Sequence, residues 1–246
     1  MAVAAGCRWR LATSQALPYR GLTVMNEPQF SALRERMLAA VAIHATLAGE
    51  EIGKAMLGRR VMEVLARVPR HEFVPIELES FAYENMPLPI GFGKTISQPF
   101  IVALMTDLLD PQAGDSVLEI GTGLGYQAAI LAELALQVWS VEIVEELATE
   151  AEKRLRRRGY RNVSIRIGDG SAGWGEHAPF DRIMVCAAPE LVPPALIHQL
   201  KRGGRMVLPA GLAESQHLMV VDKDRNGRTR TKEMLAVRFA ELETVR

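Results

Sequence analysis

The chain has 246 residues, 48% of them hydrophobic and 24% charged, a mix that fills one sizeable domain and excludes wholesale disorder. Lys plus Arg and Asp plus Glu both number 29, so the formal net charge is zero, whereas a non-specific nucleic-acid binder carries a basic excess. No window is apolar enough for a membrane span, and the two cysteines, Cys7 and Cys186, have neither disulfide-framework nor zinc-ligand spacing, which fits a reducing compartment and no metal site.

Residues 1–25 contain no acidic residue and read as an unordered extension, or as the product of an upstream start codon with Met25 the true start. The run 28–49 has helical periodicity and ends at Gly49, a plausible glycine stop. In 54–68, Leu57, Val61, Val64, Leu65 and Val68 share one helix face, and Pro69 ends it. A helical N-terminal segment is therefore expected over 26–90, followed by a core over 91–246, all in one compact domain. The stretch "PIGFGKTISQPFIVALMTDLL" (89–109) concentrates Pro89, Gly91, Gly93 and Pro99. Pro99 suits the first turn of a helix over 99–109, and Gln98 before it should be extended. Ser97 then has two open readings, a helix cap or a hydroxyl facing a ligand.

From Asp115 the texture changes. Strands are predicted at 115–121, 137–143, 162–169, 180–188, 203–211, 217–224 and 233–242, with helices at 126–135, 144–159 and within 191–201. Alternation of this kind predicts an α/β fold: a doubly wound, mostly parallel, Rossmann-like sheet. "VLEIGTGLGY" (117–126) runs a strand through Gly121, Gly123 and Gly125 into a helix, with Glu119 just ahead. Such a turn lets backbone N–H groups approach a ligand beyond the strand's carboxyl end. The third glycine of a dinucleotide fingerprint would fall at position 126, which is Tyr126. Glu142 ends the next strand, where it could accept both hydroxyls of a ribose or be a solvated strand end. Asp169-Gly170 ends the third, where it could take an adenine amine or be a plain turn.

"LEIGTGLGY", "VE" and "GDG" together resemble the S-adenosylmethionine site of class I methyltransferases. With "VPRHEFVP" and "LPIGFGKTISQPFIVALMTDLL", the chain resembles the protein-L-isoaspartate O-methyltransferase family from about residue 56 to 240. The resemblance implies S-adenosylmethionine as cofactor and S-adenosylhomocysteine as product. It implies methyl transfer to the α-carboxylate of L-isoaspartyl residues in damaged proteins and peptides, starting repair through a succinimide. Cofactor contacts are implied for Thr95, Ile96, Glu119, Gly121, Thr122, Gly123, Gly125, Tyr126, Glu142, Ile143, Asp169 and Gly170. Substrate contacts are implied for Ser97, Gln98 and Pro99, with Ser97 as the catalytic residue. In the family the "TISQP" loop lies over the sulfonium end of the cofactor, so Gly91 and Gly93 are expected where backbone passes close to a ligand. A cytoplasmic monomer is expected, without a nucleic-acid or membrane partner.

Two departures stand out. Family members commonly close the last strand with a "VPL"-like run, whereas this chain has "FAEL" (239–242), with Glu241 in place of a proline; the first 55 residues match only loosely. Cys186, mid-strand in "IMVCAAP", reads as a small buried residue, and "RLRRRG" (154–159) as a solvated helix end. The rival readings are a class I methyltransferase with another acceptor, a nicotinamide dehydrogenase (disfavoured by Tyr126), and a cofactor-binding module without catalysis.

Overall fold

The computed structural model describes residues 25–244, so the reading of 1–24 as an extension lies outside the described residues. A seven-stranded sheet has the order β5-β4-β3-β6-β7-β8-β9. Its strands are β3 (Ser116–Ile120), β4 (Gln137–Glu142), β5 (Val163–Ile167), β6 (Phe180–Val185), β7 (Leu200–Leu212), β8 (Ser215–Lys223) and β9 (Thr229–Val237). The pairings from β5 to β7 are parallel, and β8 and β9 add on antiparallel. The chain starts the sheet at β3, moves outward to β5, then returns to the other side of β3 as β6. That reversal is the topological switch point at which open α/β sheets bind ligands.

Side chains alternate across the sheet, so each central strand supplies two cores. Val117, Val138, Met184 and Val207 face one cluster, shared with the N-terminal helices. Leu118, Ile120, Val141, Ile183, Val185 and Met206 face the other. The first face is covered by α1 (Glu27–Leu47), α2 (Gly49–Ile52), α3 (Arg59–Arg67), α4 (Pro99–Leu109), α5 (Tyr126–Ala132) and α6 (Glu145–Arg157). The second has lighter cover, from α7 (Pro194–Gln199) and 3₁₀ turns at Gly170–Ala172 and Gly175–His177. Nine residues of α4 are buried, which is why its sequence is apolar all round rather than amphipathic. Among the described residues no helix is long and apolar enough to cross a membrane.

α1 begins at a reciprocal cap between Asn26 and Gln29 and buries Phe30, Met37, Val41 and Ala45. Gly49 does not stop it. The helix ends at Leu47, a further turn begins at Gly49, and the left-handed glycine is Gly53 (φ 76°). The last strand is also displaced from the predicted 233–242. It begins at Thr229, directly after a turn in which the Asp224 carboxylate accepts from the N–H groups of Asn226 and Arg228. Its first residues, "TRTKE", form an exposed edge and so carry no apolar signal.

His71 fixes α1 to the rest. Its ring stacks on Phe30 at 3.6 Å and 5°, and Nδ1 lies 2.8 Å from the Tyr83 hydroxyl. Burial pushes its pKa down to about 4. The unfolded chain takes up this proton near pH 6.5 and the folded one only near 4, so stability falls as pH drops through that window. Melting measured from pH 7 to 4 should show the decline, at up to about 1.4 kcal/mol per pH unit from this group. His71→Phe should flatten it; an equal slope in the variant would assign the effect elsewhere.

Candidate active site

A cavity of about 640 Å³ opens at the carboxyl ends of β3, β4, β5 and β6, within the range of about 300–1,000 Å³ usual for ligand pockets. Its floor is Ile120, Gly121 and Gly123 after β3, Val141, Glu142 and Ile143 after β4, Gly170 after β5, and Cys186 and Ala187 after β6. Thr95, Ser97 and Gln98 form one wall, and residues 235–243 form another. The cofactor turn and the "TISQP" loop, far apart in sequence, therefore face one space.

Gly121 and Gly123 hold left-handed backbone (φ 90° and 56°) and line the cavity, while their N–H groups are taken by the Val141 carbonyl and by Glu142. Glu142 is 5% exposed, so it is not a solvated strand end. Its Oε2 accepts from Gly123 N–H at 2.8 Å, and its Oε1 from the N–H groups of Ile143 and Val144 at 3.0 Å. A carboxylate has about four acceptor positions, and three of them are filled from within the chain. Gly170 also has a second reason to be glycine, because a Cβ there would lie 2.2 Å from Cγ2 of Ile120. Asp169 caps the following turn, its Oδ1 accepting from Ser171 N–H at 2.8 Å. The size, the glycine cradle and the buried acidic acceptor fit an adenosyl cofactor with a charged amino-acid end.

Ser97 does not cap α4. The residue capping α4 is Gln98, with no side-chain cap bond of its own, and the N–H of Phe100 is taken by Asn85 Oδ1 at 3.0 Å. Gln98 donates to the Asn85 carbonyl at 2.9 Å, so Asn85 pins the loop at two points. The Ser97 hydroxyl makes no cap and is left on the cavity wall. Gly91 and Gly93 have a different reason from close ligand approach. They flank the tip of a hairpin, β1 (Leu88–Gly91) and β2 (Lys94–Ile96), and a Cβ on either would meet nothing within 4 Å. Phe92 (φ 54°) and Gly93 (φ 69°) are both left-handed, as a two-residue type I′ turn requires.

Several predicted contact residues stand behind the wall rather than on it. Ile96 and Pro99 are buried in the core below the loop. Gly125 packs against α6, where a Cβ would lie 3.1 Å from Leu155. Tyr126 is buried against Phe73. Thr122 and Glu119 both bond to Ser140, and Glu119 is fully buried. Burial, then the nearby Glu142, pushes the Glu119 carboxyl up to about 8, and its Oε1 has no hydrogen-bond partner among the described residues. These side chains shape the turn from beneath. Cys186 is half-buried on the cavity wall, not wholly enclosed.

The departure at Glu241 falls on the cavity wall that runs from 235 to 243. Gln216 clasps Phe239 through both backbone groups, at 2.7 and 3.2 Å, and Lys94 pairs with Glu243. Beyond β9 the segment pairs with Ala188, which donates to the Ala240 carbonyl and accepts from Leu242 N–H. The N–H of Glu241 takes no part in that ladder, so glutamate fits where a proline would.

The family model described as protein-L-isoaspartate(D-aspartate) O-methyltransferase matches residues 43–245. The chain is 56% identical over 230 residues to protein-L-isoaspartate O-methyltransferase 1 of Polaromonas sp., covering 94% of this chain and 97% of that one. A solved protein-L-isoaspartate O-methyltransferase superposes with TM-score 0.72 at 27% identity, over 85% of this chain and 65% of that one. A beta-aspartate methyltransferase from Plasmodium falciparum in complex with S-adenosyl-L-homocysteine shares the fold, with TM-score 0.71 at 20% identity over 88% of this chain and 99% of that one. The similarity thus begins well before residue 56, where the motifs alone placed it. The chain belongs to the protein-L-isoaspartate(D-aspartate) O-methyltransferase family.

Proposed function

We propose that the protein transfers a methyl group from S-adenosylmethionine to the α-carboxylate of L-isoaspartyl residues in proteins and peptides. The observation that carries this, given the family, is the meeting of the Ser97 loop and the Gly121–Gly123 turn across one cavity. When bound, the cofactor supplies a methyl group activated by its sulfonium charge. The acceptor carboxylate is already ionised at neutral pH, so no general base is required of the chain. The protein's task is positioning and exclusion of water. Ser97 holds the carboxylate through its hydroxyl, the glycine turn and Glu142 hold the cofactor, and the bound peptide covers the opening. The ester formed is then attacked by the next backbone nitrogen, which expels methanol and closes the succinimide. Water opens the ring partly to normal aspartate. The reading extends to a cytoplasmic monomer acting on polypeptides, which a cavity open to solvent would admit.

Methyl-labelled cofactor should label a peptide containing isoaspartate and leave the same peptide with aspartate unlabelled. Cofactor binding without transfer would mean a non-catalytic module, and transfer to both peptides alike would mean another acceptor.

A further inference from the structure

Arg70 is fully buried, yet it has no carboxylate partner among the described residues. Its Nε donates to the Ala82 carbonyl at 2.7 Å and its Nη2 to the Ser97 carbonyl at 2.6 Å. The guanidinium lies over the Tyr126 ring, 4.9 Å from the centroid, with the Tyr126 hydroxyl within interaction range of it. An unpaired buried cation is costly, and an apolar residue of similar size commonly serves stability as well or better. One side chain here spans the segment after Ile76–Phe81, the loop that carries Ser97, and the first residue of α5 after the glycine turn.

We propose that Arg70 is a positioning residue for methyl transfer: it fixes the Ser97 backbone relative to the glycine turn, so that the hydroxyl and the cofactor cradle keep one spacing. This rests on the proposed function for its effect on turnover, while its effect on the loop does not. Among the described residues no other side chain bonds the Ser97 carbonyl, and Asn85 holds Gln98 and Phe100 instead. Burial lowers the Arg70 pKa only to about 10, so the cation persists at neutral pH.

Arg70→Lys keeps a charge but replaces the rigid fork by a point donor that cannot span both carbonyls. Hydrogen exchange of the backbone over residues 95–98 should quicken at least about tenfold while α5 stays protected. The kcat per folded enzyme with an isoaspartyl peptide should fall about tenfold or more, with S-adenosylhomocysteine Kd within about twofold of wild type. Arg70→Met, an apolar substitute, should show the same pattern with stability held or raised. Unchanged exchange over 95–98, exchange that rises equally across α4 and α5, or unchanged kcat overturns the proposal. So does failure of both variants to fold, which would make Arg70 a core support. A wild type that leaves isoaspartyl peptide unmethylated retires the function reading, and the exchange result alone then decides the role of Arg70.

Discussion

Gly123→Val should lose S-adenosylhomocysteine binding by more than about a hundredfold, roughly 3 kcal/mol or more, while the protein still folds. Position 123 sits at φ 56°, a conformation that costs a non-glycine residue about 1–2 kcal/mol and a β-branched one more. The new Cβ would lie 3.1 Å from Cδ1 of Ile90, the free end of a side chain, so the hairpin gives slightly rather than breaking. Both residues line the cavity, so the two valine methyls must go into space that a ligand would use. The same peptide donates to Glu142 Oε2, and tilting it would disturb the carboxylate as well. Calorimetry reports the binding and a thermal melt reports the fold. A valine variant that binds like wild type would show that the glycine turn is not the cradle, whatever the family suggests.

Ser97→Ala should lower kcat/KM for an isoaspartyl peptide about ten- to a hundredfold, the loss of one hydrogen bond to a charged group at about 1.5–3 kcal/mol. Melting temperature and cofactor affinity should hardly move, because α4 is capped by Asn85 and not by the serine. Ser97→Thr keeps the hydroxyl but crowds the loop, so it should fall between. Full activity in the alanine variant, at saturating cofactor, would mean that backbone donors alone place the carboxylate.

Much of the fold was legible because it is local. Pro99 marked the start of α4, and the apolar runs marked the central strands, since buried parallel strands have no polar face to disguise them. The glycine turn and Glu142 were legible as motifs for the same reason. What failed to show was tertiary. Arg70 in "VPRHEFVP" looks like a surface residue until two carbonyls from distant segments converge on it. The two-residue turn at Phe92-Gly93 looks like a ligand-hugging loop until its partner strands are seen to pair. The segment 235–243 showed as a strand and a departure at Glu241, but its place as a wall did not, because it is set by Gln216 and by Ala188.

The clasp between Lys94 and Glu243 closes a loop of 149 residues. Closing so long a span has an entropic cost that grows only slowly with length, yet it must be met before the contact returns anything. The sheet and its glycine turn are built largely from neighbouring βαβ units and can assemble first. The walls of the pocket thus depend on contacts between distant parts of the chain, whereas its floor does not. A chain caught part-way would have a recognisable nucleotide-type fold and no chamber, which makes ligand binding a gauge of complete folding rather than of secondary structure.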